Sequence, residues 1–292
     1  MRFWFSLSCC LLLVCSWVDY AEPYGEFVEI LPHGCINWTA GLLEASGSCP
    51  FEDPLAGGGR SDELMAQQAR ERATRHLMQT MAQVRMDAFR HMAHVMSADP
   101  RVAARATEIA INAAVIDEAQ QPEDGVEVRV QLAFLGALAQ LVLPESIKQV
   151  ETIKSINRGT PEVVESDFSK LRAMPEASNV YTGLIVDARG TGAGPAMVPL
   201  LVDESGKEVY GSVFVSREYA VQQGVCMYVS SLANPDKHPR VGPKPLMVKG
   251  LRTLVDRSCD IVISNSDAAK LRDVSANLGF LKQCRVIIII DP

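Results

Sequence analysis

Several things are missing from this sequence, and each absence removes a class of function. No two cysteines stand in a C-x-x-C pair, so neither a zinc ribbon nor a dithiol redox motif is present. No G-x-S-x-G, H-E-x-x-H, Asp-x-Asp or Gly-Lys-Ser/Thr wording occurs, which leaves the commonest hydrolase, zinc-protease and phosphate-loop chemistries without their residues. Positive charge is not in excess either. The formal net charge is −7, the wrong sign for a surface that neutralises phosphates, so nucleic acid is not an expected partner. Beyond residue 18 no apolar run reaches the length of a bilayer span; Val286 to Ile290 is only a strand's length. What remains is 292 residues of ordinary globular composition, 22% charged and 48% hydrophobic, enough to bury a core without disulfide staples. A non-enzymatic chain with no cofactor and no metal is the expectation.

Residues 1–21 read as a secretory signal. Arg2 supplies the positive start, Phe3 to Val18 is apolar apart from Ser and Cys, and Ala21 is a small residue suited to cleavage. A retained anchor is the competing reading, and a lipid on Cys15 another, although Val14 is a poor residue before a lipid-bearing Cys. Exported, with no transmembrane span once the signal is removed, is the expectation. Five cysteines follow the signal: Cys35, Cys49, Cys226, Cys259 and Cys284. Cys259 and Cys284 flank one expected helix and are a candidate disulfide; buried free thiols are the alternative.

The rest divides into residues 22–143, a helix and linker over 144–179, and residues 180–292. In the first unit, apolar residues alternate at Ile36, Trp38, Ala40 and Leu42, predicting a strand over 36–45. Ser61 then caps a long helix whose apolar stripe runs through Met65, Ala69, Ala73, Leu77, Met81, Val84, Ala88, Met92 and Val95 to Asp99-Pro100. Unbroken, it would reach about 57 Å at about 1.5 Å per residue. That overhangs a small sheet, so either the helix breaks or part of the stripe meets a neighbouring subunit. Met65, Leu77, Met81 and Met92 are the candidate interface on the second alternative. His91 and His94 lack a third ligand at helical spacing, and no metal is expected there. Ile109 to Ile116 and Val126 to Leu132 predict a hairpin turned by Pro122 to Gly125.

The second unit starts with the strand Val180 to Asp187, which runs into Ala188-Arg189-Gly190-Thr191-Gly192-Ala193-Gly194-Pro195. Alternating glycines after a strand suggest a dinucleotide loop, but a strand rather than a helix follows, so a hairpin connection is expected. Asp187, Arg189 and Gly190 are the candidate ligand-binding residues; an ion-paired turn anchor is the alternative. The chain closes with a strand over 260–264, a helix from Ser266 to Leu278 and a strand over 285–290. The fold class expected is α+β: two small domains, the first a long helix on an antiparallel sheet, the second a mixed sheet with a strand–helix–strand closure.

Several segments carry a family likeness. They are Ile36 to Gly47, Arg85 to Arg90, Glu123 to Val128, Tyr181 to Gly190, Pro195 to Met197, Glu208 to Gly211 and Ser264 to Arg272. In them the chain resembles the outer-membrane small-lipoprotein family, to which the flagellar assembly proteins P and T are related. The resemblance implies a bacterial envelope protein in the periplasm, associated with the outer membrane and working by self-association or by docking on envelope or flagellar proteins. It implies no catalytic residues. A periplasmic ligand-binding module using the Asp187 to Pro195 loop is the second expectation.

Overall fold

The computed structural model describes residues 24–50, 62–121, 125–147, 180–255, 258–272 and 275–292. The expected signal, the Ser61 cap, part of the hairpin turn and most of the 144–179 linker lie outside them. Among the described residues the fold is α+β, with seven helices and thirteen strands in one antiparallel and one mixed sheet.

The chain enters through β1 (Tyr24–Glu26), which belongs to the second sheet. Next come β2 (Val28–Leu31), β3 (Gly34–Asn37) and β4 (Leu42–Cys49), then α1 (Asp62–Gln83), α2 (Met92–Ala98), α3 (Pro100–Ile111), β5 (Ala114–Gln121), β6 (Gly125–Ala133) and α4 (Ala137–Val142). The five strands β2 to β6 pair antiparallel in the order β2-β3-β4-β6-β5. The strand expected over 36–45 is therefore two strands. Asn37 Oδ1 accepts the Ala40 amide at 2.9 Å and turns the chain, while Trp38 is buried.

The stripe on α1 packs over β4 and β6. Met65, Ala69, Ala73, Leu77 and Met81 are all buried, facing Leu43, Ala45, Val128 and Val130. Small residues set how closely the layers approach. A Cβ on Gly47 would lie 2.2 Å from the Ala73 amide nitrogen and 2.3 Å from the Ala69 carbonyl oxygen, so only glycine lets α1 sit this low. The long helix breaks at Gln83. Asp87 closes a turn by accepting the amides of Phe89 and Arg90 at 3.0 and 2.9 Å, and Met92 restarts the helix after its amide bonds the Val84 carbonyl. Asp99 caps α3 by accepting the Arg101 amide at 2.8 Å, with Pro100 at its first position. The helix runs on to Ile111 and ends at Asn112, whose Nδ2 donates to the Glu108 carbonyl at 2.9 Å, so Ile109 to Ile111 finish a helix and the hairpin arm begins only at Ala114.

The candidate interface needs correction. Met65, Leu77, Met81 and Met92 are core residues, fully buried or nearly so, because the helix turns back before it can overhang the sheet.

The second sheet is built from β1 with β7 (Gly183–Asp187), β8 (Leu201–Asp203), β9 (Glu208–Tyr210), β10 (Met227–Leu232), β11 (Pro245–Thr253), β12 (Ile261–Ile263) and β13 (Val286–Ile289), in the order β1-β10-β13-β7-β11-β12-β8-β9. Between them lie α5 (Arg217–Gln223), α6 (Asn265–Arg272) and α7 (Ser275–Lys282). β13 is central and buried on both faces, as its apolar run predicts. The glycine loop is not a hairpin: β7 and β8 are separated by β11 and β12, so the loop crosses over the sheet.

That topology also separates Cys259 from Cys284. They precede β12 and β13, three strand positions apart or roughly 14 Å at about 4.8 Å per step, and the two strands run in opposite directions. A disulfide needs Cα atoms within about 7 Å. Both thiols are free and buried; Cys259 donates to Asp260 Oδ1 at 3.3 Å.

One apolar core runs through both layers. Thr39 Oγ1 donates to the Tyr228 carbonyl at 2.6 Å, and the Trp38 ring meets the Tyr228 ring edge-on at 6.0 Å. The Tyr228 hydroxyl accepts the Ala196 amide at 3.0 Å and donates to its carbonyl at 3.1 Å. The amides of Met197 and Val198 donate to the carbonyls of Arg85 and Met86, so the crossover loop is stitched to the turn that ends α1.

Candidate functional site

β7 runs between β13 and β11 and is buried along Gly183 to Val186, so its end delivers Asp187 to the surface at a fixed height. Register places Asp187 opposite Lys249 on one side and Ile289 on the other. Arg189 folds back on it, with Nε donating to Oδ1 at 2.8 Å and Nη2 donating to Oδ2 at 3.0 Å. The Arg189 amide donates to Oδ1 at 3.3 Å and Lys249 Nζ to Oδ2 at 3.3 Å. The backbone then turns at Gly190, whose φ of 78° is the left-handed conformation that glycine adopts freely. Its amide donates to Asp291 Oδ2 at 2.7 Å, just beyond the end of β13.

Thus the structure brings Asp187, Arg189 and Gly190 together and adds Lys249 and Asp291. Four donors fill the acceptor capacity of the Asp187 carboxylate, so a ligand would have to displace Arg189 or Lys249 to reach it. The bidentate Arg189 pair, opposed by some desolvation and helped by the Arg189 amide and Lys249, lowers the Asp187 carboxyl to about 2 from 3.8. Because the folded value is depressed, this interaction contributes stability above pH about 4 and loses it as pH falls through about 2. Asp187→Asn should therefore lower the urea midpoint at pH 6 and converge with wild type near pH 2. A constant difference at both pH values would contradict this.

The neighbouring strand carries a feature the sequence did not flag. On β11 the side chains alternate: Leu246 and Val248 face the core, whereas Met247 is 55% exposed and Leu251 48%. Beyond the strand Leu254 and Val255 are exposed as well. Met247 and Leu251 thus flank Lys249 on the open face, beside a charge cluster with two of each sign: Asp187, Asp291, Arg189 and Lys249. Ile30 and Phe89 are individually more exposed, but Ile30 has only Val28 beside it on β2 and Phe89 projects singly from the turn after α1. The period-two pattern over Leu246 to Leu251 was the available signal. It is hard to read because both faces carry apolar residues.

Residues 183–292 match the family described as Treponema pallidum Tp0624, second domain. The match opens on the first residue of β7 and takes in every strand of the second sheet except β1, together with the Asp187 turn and the β11 face. No curated protein matches this chain. Among the described residues no helix is long and apolar enough to cross a membrane.

Proposed function

We propose that this protein is an exported, non-catalytic component of a cell envelope, and that it works by self-association through the open face of β11. The exposed apolar residues Met247 and Leu251 on that face, with Leu254 and Val255 exposed in the bend that follows, carry the reading. An apolar centre beside a charged margin is the usual make-up of a protein interface. The occupant is a second copy of this chain. The four charges beside these residues sum to zero, with Asp187 paired to Arg189 and Lys249 and Asp291 accepting the Gly190 amide, so two copies can approach there although each carries a net charge of −7. The signal-like residues 1–21 and the resemblance to small outer-membrane lipoproteins support the envelope and the periplasm, and its flagellar relatives support a place in flagellar assembly or outer-membrane organisation.

Analytical ultracentrifugation tests this. The protein should show a concentration-dependent monomer–dimer equilibrium, and replacing Met247 and Leu251 together by Asp should weaken it at least about ten-fold, about 1.4 kcal/mol. A strict monomer at every concentration, or a dimer indifferent to the double change, would remove the reading. The Asp187 to Pro195 loop supports a second reading as a ligand mouth, because the space beyond Gly190 and Gly192 is open. That reading requires Asp187→Ala and Arg189→Ala to abolish binding of a small molecule while leaving the dimer intact.

A further inference from the structure

We propose that the seam between the two layers carries a cation site, in which Oδ2 of Asp260 takes an ammonium or guanidinium group. Asp260 stands just before β12, fixed there because the Ile261 amide donates to the Leu200 carbonyl at 2.8 Å. The residue is only 7% exposed. Its Oδ1 accepts the Leu200 amide at 3.2 Å and the Cys259 thiol at 3.3 Å. Its Oδ2 accepts from no donor among the described residues, and no described Lys, Arg or His pairs with it. Nor is Oδ2 sealed in: the unpartnered side-chain atoms shut off from solvent are Thr80 Oγ1 and Arg240 Nε. One oxygen of a nine-tenths-buried carboxyl group is therefore both unpaired and reachable.

Asp260 lines a cleft of about 240 Å³ between the Asp87 to Arg90 turn of the first layer and Leu200 and Ser212 of the second. Charge rather than size selects the ligand. Asp87 lines the same cleft, but Arg90 neutralises it: Nε donates to Oδ2 at 2.8 Å and Nη2 lies 2.6 Å from the same oxygen. Arg85 reaches instead to the Pro195 carbonyl at 3.0 Å. A further carboxyl group, that of Glu208, lies beside Gly211 on the cleft wall. Burial raises the Glu208 carboxyl above its ordinary value. Burial does the same at Asp260, and the Asp87 charge adds to it. With Arg90 spent on Asp87, Asp260 has no counter-charge, and a buried carboxylate in that state is strongly disfavoured.

An ammonium or guanidinium group supplies both the missing donor and the missing charge, whereas a water supplies the donor alone. The rest of the cleft suits the same group. Ser146 and Ser212 line it and offer hydroxyl acceptors for the remaining N–H groups. Phe89, 76% exposed, lines it as well and provides an aromatic ring of the kind that attracts alkylammonium groups. The chain's net charge of −7 draws cations toward it. A free amine and a lysine or arginine side chain of another protein share this chemistry. The site uses none of the β11 residues, so it stands or falls apart from self-association.

The test is a calorimetric titration of the full chain near neutral pH with butylammonium, using butan-1-ol as the neutral counterpart. Butylammonium should give a saturable heat and butan-1-ol none. Asp260→Asn, whose side-chain oxygen can still accept the Leu200 amide, should weaken the binding at least about ten-fold. Amide resonances of Phe89 and Ser212 should shift as butylammonium is added to the wild type, a result that stands even if the variant does not fold. A blocked Ala-Lys-Ala peptide separates the two sources: tighter binding than butylammonium assigns the site to a partner's side chain, and weaker binding assigns it to a free amine. Indistinguishable heats from butylammonium and butan-1-ol, or unchanged affinity in a folded Asp260→Asn, would overturn the proposal.

Discussion

Replacing Leu77 by Ala is expected to destabilise the protein by about 3 kcal/mol while leaving its association state unchanged. Leu77 is fully buried in the centre of the α1 stripe, between the helix and the β4–β6 pair. Removing a leucine side chain there loses its transfer free energy and leaves a cavity that a close-packed sheet cannot refill, a combination that typically costs about 2–5 kcal/mol. A stripe serving as a subunit interface would behave differently: the monomer would keep its stability and the oligomer would dissociate. Denaturant unfolding together with ultracentrifugation of the variant separates the two, and loss of the dimer at unchanged monomer stability would contradict the placement of α1.

Gly47→Ala is expected to cost at least about 2 kcal/mol, a large effect for one added methyl group. The new Cβ would sit 2.2 Å from the Ala73 nitrogen and 2.3 Å from the Ala69 oxygen, both backbone atoms of α1 that no rotamer change can move. The helix must therefore lift from the strand or the strand must bend, and overpacking of this kind costs about 1–3 kcal/mol or more. The glycine's φ is not in the left-handed region, so conformational strain adds nothing and the whole effect reports the helix–strand distance. A thermal midpoint within about 1 °C of wild type would show that α1 does not lie against β4.

How much of this was legible in the sequence follows from the physics of each element. The α1 stripe and the Val126, Val128 and Val130 alternation were read correctly because each buries one face against one neighbour. The β13 run was equally clear because a central strand is apolar on both faces. Breaks were harder. The end of α1 depends on Asp87 accepting two local amides, and a short polar side chain is read as surface unless the turn is already known, whereas the boundary at Asp99-Pro100 was legible because proline marks it. Strand order was not legible at all. Nothing in the wording of residues 183–203 shows that two later strands, β11 and β12, insert between β7 and β8. For the same reason Asp187 and Arg189 could be picked out, two residues apart at a strand end, whereas Lys249 and Asp291 reach them only through pairing across the sheet.

The same insertion creates the surface on which the functional proposal rests. β11 enters beside β7 with Met247 and Leu251 on the open face and Lys249 between them, bonded to Asp187. Charge pairing therefore holds the turn in place while leaving the apolar residues free to meet a partner.

The most direct measurement is site-specific photo-crosslinking in the native host, with the reactive group at position 247 and a control at Arg129, an exposed position on the polar face of the first sheet. Self-docking through β11 predicts a product of twice the chain's mass, containing only this chain, from position 247 and not from 129. No product from 247, or a product with a different protein alone, would contradict it.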